Sequence, residues 1–209
     1  MASVERQIWN KFGIRGGGRP PFWASKGGRG ELAQLFCELG FTTGAEIGVQ
    51  RGAYSHCLCA ANPKLRLYCI DPWTPYKGGM PTTEQCELFL ARAKERLAPY
   101  SFEIVRKRSQ EAAGEFKKGS LDFVYIDATH DFDNCMMDLI LWTPKVRYGG
   151  IVAGHDFAEL RGYGVTQAVH AYIHAHGIAN WYLTFSAPFS RKSRGNTDPA
   201  SFFWVQRER

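Results

Sequence analysis

Short apolar runs alternate with helix-period segments along most of the chain, and this alternation restricts the fold more than any other feature. Strand-like runs occur at Ala45–Val49, Arg66–Asp71, Phe102–Val105, Leu121–Asp127 and Gly150–Gly154. Between them, Cys86, Phe89, Leu90, Ala93 and Leu97 recur on one helix face. Phe132, Cys135, Met136 and Leu139 do the same, as do Val165, Ala168, Val169, Tyr172 and Ile173. An earlier helical stretch, Glu31–Leu39, stops at Gly40. Strands separated by helices pair in parallel through right-handed crossovers, so an α/β fold with a mainly parallel sheet covered on both faces is expected. The end breaks the pattern. Trp181–Phe185 and Ser201–Gln206 have no helix between them and should pair as an antiparallel hairpin at one sheet edge. Five parallel strands plus a terminal hairpin is not the layout of a dinucleotide dehydrogenase.

With 209 residues and 44% hydrophobic content, the chain can bury a full core as one domain. No apolar run approaches the roughly 18 residues of a membrane span. The N-terminus carries charge and glycine where a signal peptide would be apolar, so a soluble, cytoplasmic protein is expected. The six cysteines lack paired CxxC spacing, which points to free thiols rather than a zinc site. The net charge of +6 sits at the ends. Residues 1–30 hold six Lys/Arg against Glu5, and residues 186–209 hold five against Asp198 and Glu208. Two readings stay open: solvated tails, or a surface for an anionic partner. The Gly/Pro-rich stretch 13–30 reads as a draped arm with Phe22 and Trp23 as anchors, so an arm (1–30) is set apart from a catalytic domain (31–209).

Open α/β sheets bind ligands beyond the carboxyl ends of their strands. After the first strand, Glu46-Ile-Gly48-x-x-x-Gly52-x-Tyr54-Ser55 offers a tight turn and the free N–H groups of a helix start. The spacing is not the G-x-G-x-x-G of a pyrophosphate loop. Asp71, at the tip of the second strand, suits a ribose diol, and Pro72-Trp73 suits an apolar wall for an adenine. Asp127 and His130 follow the fourth strand, and His155-Asp156 follow the fifth. Together they suit a hard divalent cation, a proton-abstracting imidazole, or both. His170, His174 and His176 read as helix surface.

These motifs, with Ile70-Asp71-Pro72-Trp73, Ile126-Asp127-Ala128-x-His130 and Gly149-Gly150-x-x-x-Gly154-His155-Asp156, resemble small class I S-adenosylmethionine-dependent methyltransferases. The branch is that of the macrolide-sugar O-methyltransferases, catechol O-methyltransferase and cephalosporin-hydroxylase-like proteins, and the resemblance covers about residues 30–206. It implies a Rossmann-like, doubly wound seven-stranded sheet with the last strand antiparallel. It implies S-adenosyl-L-methionine as cofactor, with Glu46, Gly48, Gly52, Tyr54 and Ser55 around its amino-acid end and Asp71 on the ribose. Trp73, Ser109 and Gln110 would border the adenine, and Asp127 would also face the cofactor. Asp127 and His130 are the implied catalytic pair, with Asp131 as a second candidate to orient the imidazole. Asp127, His155 and Asp156 are the implied ligands of a magnesium ion, His155 standing where relatives carry an acidic residue. The implied acceptor is a small molecule, anionic if the basic ends take part, chosen by the arm, Thr74–Pro81 and the hairpin loop. Two alternatives stay open: a nucleic-acid methyltransferase using the basic ends, although the Asn/Asp-Pro-Pro-aromatic run of such enzymes is absent, and a non-catalytic cofactor-binding protein.

Overall fold

In a computed structural model of the protein, residues 3–15, 18–76, 81–159, 162–185 and 198–207 are described. The elements in chain order are α1 (Val4–Phe12), β1 (Phe22–Trp23), α2 (Arg29–Glu38), β2 (Thr43–Ile47), α3 (Ala53–Ala61) and β3 (Arg66–Ile70). There follow α4 (Thr83–Leu97), β4 (Ser101–Val105), α5 (Ser109–Ala113), β5 (Leu121–Ile126) and α6 (Phe132–Trp142). The chain then forms β6 (Val146–Phe157), α7 (Val165–Ala175), β7 (Trp181–Leu183) and β8 (Ala200–Val205). One sheet runs in the order β1-β7-β8-β6-β5-β2-β3-β4. Every neighbouring pair is parallel except those made by β8, which is antiparallel to both β6 and β7. The seven expected strands are therefore present, including the antiparallel terminal hairpin. An eighth, the two-residue β1, is added beyond β7.

Strand alternation sends successive side chains into two cores. Leu67, Phe123, Tyr125, Ala153 and Phe203 face α1–α4, packing against Phe12, Leu35, Phe36, Leu58 and Leu90. Ile47, Val124, Ile126, Val152 and Trp204 face α5–α7, packing against Leu139, Trp142, Val169 and Tyr172. Capping places the helices locally. The Thr82 hydroxyl accepts from Gln85 N at the start of α4, and the Asp131 carboxylate accepts from Asn134 N at the start of α6.

Two expectations are corrected. Residues 4–12, expected within a separate arm, instead form a helix packed into the core, and Phe22 anchors the stretch that follows. Ile8 and Phe12 of α1 are fully buried, Phe12 packs on Phe203 at 5.3 Å, and Phe22 lies 5.8 Å from Tyr182 across the β1–β7 pair. Apolar i, i+4 spacing in Val4–Phe12 is the signal that the glycine-rich stretch beyond it obscured. Second, β6 starts four residues before Gly150 and runs through His155 and Asp156, so these two lie in the strand rather than after it. Within the hairpin loop, residues 186–197 and the basic run Arg191–Arg194 lie outside the described residues, as do residues 77–80 of the segment after β3.

Strand order reverses between β2 and β5, with β3 on one side and β6 on the other. Register sets the tips level: Ile47 pairs with both Ile70 and Ile126, and Ile126 pairs with Gly154. Gly48, Asp71, Asp127 and His155 thus stand at one height on four adjacent strands.

Candidate active site

The turn after β2 is shaped by close backbone packing. Gly48 has φ +91°, and a Cβ there would overlap the Asp127 carbonyl and come within 2.6 Å of Ala128 Cα. Only glycine lets the β2 and β5 tips approach this closely. Gly52, at φ +69°, starts α3 without a side-chain cap, so the first-turn N–H groups of the helix remain for a ligand. Its missing side chain also lets α4 approach, since a Cβ would sit 3.0 Å from Ala93 Cα. Glu46 is buried and accepts from the Ser55 hydroxyl. Burial holds its carboxyl well above the usual carboxylate range, and the charges of Asp127 and Asp71 add to this. The Tyr54 hydroxyl donates to Arg29 O at 3.0 Å, and its ring packs 4.2 Å from Tyr125, so this tyrosine is an internal brace.

Asp71 is buried at the tip of β3. Its Oδ2 accepts from Val49 N (3.1 Å) and Gln50 N (2.9 Å), and its Oδ1 accepts from Trp73 N (2.7 Å). The carboxylate therefore ties the β2 turn to the β3 turn and keeps limited capacity for a ribose hydroxyl. Trp73 is buried rather than offering a face to a ligand, and its Nε1–H donates to Gln50 O at 2.8 Å. Ser109 opens α5. Its hydroxyl donates to Asp138 and accepts from Trp142 Nε1 at 2.8 Å, joining α5 to α6. Gln110 is exposed beside it.

Between the β5 and β6 tips lies a cluster of alternating charge. His130 Nε2 is 2.9 Å from Asp156 Oδ2 and 3.9 Å from Asp127 Oδ1. His155 Nδ1 is 3.4 Å from Asp156 Oδ2 and 4.0 Å from Asp127 Oδ1. On its other side, His155 Nε2 is 3.3 Å from Asp198 Oδ1, and Asp198 Oδ2 is 3.0 Å from Arg29 Nε. The Tyr163 ring covers His130 at 4.6 Å. Asp156 has φ +55°, in the left-handed region, where the β6–β8 register shifts between Gly154 and Phe157. This irregularity re-aims the carboxylate toward His130.

Asp127 and Asp156 together push the His130 imidazolium up to about 10. Burial lowers His155, but Asp156 and Asp198 outweigh it and push the group up to about 9. Burial alone would raise Asp156; hydrogen bonds from His130 and His155 instead hold it well below the usual carboxylate range.

The expected site residues thus fall at the carboxyl end of the sheet, but their partners differ from the expected ones in two ways. Asp131 caps α6 and does not orient His130; Asp156 does. Among the described residues, Asp127, His130 and Asp156 each offer a ligand atom within 4.8 Å of the others, and His155 Nδ1 stands beside the same two carboxylates. Two carboxylates and one imidazole form a donor set that fits a hard divalent cation. Arg29 and Asp198 joined the cluster without any signal in the sequence, because they lie 98 or more residues from Asp127 or at the edge of the terminal loop.

A glycine turn at the switch point of a doubly wound sheet, flanked by acidic strand tips, is where such a fold takes its ligand. A family model described as a methyltransferase domain matches residues 45–157, more than half of the chain, and the protein belongs to that family. It is an S-adenosylmethionine-dependent methyltransferase. Similar solved structures include the O-methyltransferase from Bacillus cereus in complex with SAH (TM-score 0.58, 14% identity, 98% of this chain and 91% of that one). They also include the N-methyltransferase NodS from Bradyrhizobium japonicum WM9 (TM-score 0.58, 14% identity, 86% and 95%). An rRNA methylase from Streptococcus thermophilus is similar as well (TM-score 0.59, 11% identity, 85% and 96%). At these identities the likeness is one of fold, and the three differ in what they methylate. No curated protein matches the sequence.

Proposed function

We propose that the protein transfers a methyl group from S-adenosylmethionine to a hydroxyl oxygen of a small-molecule acceptor. The observation that carries this reading is the Asp127–His130–Asp156 cluster on the strand tips next to the Gly48 turn. S-Adenosylmethionine supplies a sulfonium methyl already activated by its positive charge, so the protein must align the acceptor and take its proton. Glu46, Ser55 and the first turn of α3 form the cradle for the amino-acid end, while Asp71 retains an acceptor position for the ribose. Ser109 and Gln110, at the start of α5, are the proposed border of the adenine.

His130 is the proposed base. In the protein alone its proton is held up to about 10 by Asp127 and Asp156, so the imidazole is charged at neutral pH. Any positive charge entering between those carboxylates lowers that value and frees the imidazole to accept a proton. Magnesium, held by Asp127 and Asp156 with His155 or water completing the shell, would supply a Lewis acid that lowers the pKa of the acceptor hydroxyl and would leave His130 free to take its proton.

The test is SAH formation across a panel of small hydroxylated acceptors, with calorimetric titration of S-adenosylmethionine and SAH in parallel. With a metal, a chelator should abolish turnover while SAH still binds, and Asp156→Ala should copy the chelator. Without one, the chelator is silent and His130→Gln should lose about 10²–10⁴ in rate. Turnover that survives both treatments would place the chemistry elsewhere.

A nucleic-acid acceptor is the second reading, favoured by exposed Arg15, Arg19 and Lys26. It is weakened because other basic residues of the ends are committed within the protein. Lys11 pairs with Glu38 at 2.6 Å, Arg29 with Asp198 at 3.0 Å, and Arg207 with Glu5.

A further inference from the structure

We infer that Asp198, held by Arg29, is a positioning residue that fixes the His155 ring against Asp156 and thereby aims the carboxylate facing His130. The inference rests on the proposed roles of Asp156 and His130, and concerns residues outside the set that reading uses. Five side chains alternate in sign along a continuous path: Arg29, Asp198, His155, Asp156, His130. They come from the first turn of α2, the lead into β8, the end of β6 and the loop after β5. The antiparallel pairing of Phe157 with Ala200 brings the lead into β8 alongside the end of β6.

Asp156 needs this support. It is a non-glycine residue at φ +55° in an irregular stretch of ladder, and such a conformation persists only when its surroundings over-determine it. Its Oδ2 lies between two imidazoles, 2.9 Å from one and 3.4 Å from the other. The His155 ring is buried with a carboxylate facing each nitrogen, and Nε2 makes no hydrogen bond among the described residues, so the ion-pair contact with Asp198 is what faces that side of the ring. Asp198 itself is half exposed, and exposed ion pairs contribute little to folding. Its removal should therefore misplace the site without unfolding the protein.

Full-length protein labelled with ¹⁵N-histidine carries six imidazoles, which separates the two kinds of effect. His130→Gln and His155→Gln assign the two site signals. In Asp198→Ala the ring ¹⁵N signals of both His155 and His130 should shift, the second through Asp156, which lies between the two imidazoles. Those of His56, His170, His174 and His176 should stay in place. Asp198→Asn keeps an acceptor oxygen and should restore the His130 signal. SAH affinity by calorimetry should stay within about threefold of wild type. In any acceptor assay kcat should drop about tenfold with the KM for S-adenosylmethionine unchanged, the usual consequence of a small misplacement. An unmoved His130 signal in Asp198→Ala, or shifts spread over all six histidines, would overturn the inference. A wild-type protein that fails to bind SAH would instead overturn the methyl-transfer reading, and the ring signals can be read either way.

Discussion

At the scale of single residues, the turns after β2 and β3 are held by contacts within the protein. Gly48 is required by the backbone of Asp127 more than by ligand volume. Gly48→Ala should therefore destabilise the protein by about 1–3 kcal/mol in denaturant unfolding, and it should weaken SAH binding at least tenfold by displacing the β5 tip. Asp71→Ala leaves the N–H groups of Val49, Gln50 and Trp73 without their acceptor. Each buried unpaired donor costs about 1–3 kcal/mol before relaxation, so SAH affinity should fall by about 10–100-fold together with the thermal midpoint. Loss of affinity with the midpoint unchanged would mean that Asp71 acts on the ribose alone.

At the scale of elements, the packing of α5 on α6 carries a pH signature. Asp138 is buried under Ser109, and burial pushes its carboxyl up to about 6. A carboxyl raised in the folded state contributes stability that is present below the ordinary value near 4 and lost as pH rises through about 6. Asp138→Asn keeps an acceptor for the Ser109 hydroxyl and cannot ionise. Its midpoint should match wild type at pH 4 and exceed it at pH 7–8, by about 2 kcal/mol of stability. A constant offset across pH would remove burial of the charge as the cause. The first helix carries a second element-scale prediction. Phe12 is fully buried against Phe203, so Phe12→Ala should cost about 3–5 kcal/mol in urea unfolding, whereas a free arm would show no change.

At the scale of the whole molecule, the basic excess of the ends is partly spent on closing the chain on itself. Glu5 near the start accepts from Arg207 near the end and from Asn180 at 3.1 Å. What remains exposed is screened by salt beyond about 10 Å at 0.1 M. RNA binding should therefore weaken more than tenfold between 0.05 and 0.2 M salt, while SAH affinity changes less than twofold, as filter binding and calorimetry would record. Salt-resistant RNA binding would promote the nucleic-acid acceptor. No helix among the described residues is long and apolar enough to cross a membrane.

The alternation of apolar runs and helix periods was sufficient to indicate seven of the strands, the helices α2, α4, α6 and α7 and the antiparallel ending, because the local period dictates which face of each element must be buried. Strand-tip position identified Glu46, Asp71, Asp127 and His155-Asp156 for the same reason: parallel strands in register end at one level. Val4–Phe12 was obscured by the glycines beside it, and β1 is only two residues long, below any periodic signal. Which imidazole turns toward which carboxylate was decided by tertiary structure alone. An irregularity between β6 and β8 rotates Asp156 onto His130, and the pairing of β8 with β6 brings Asp198 to His155. Such contacts join residues far apart in the chain, and their geometry depends on backbone torsions and on register between strands, neither of which leaves a mark on sequence periodicity.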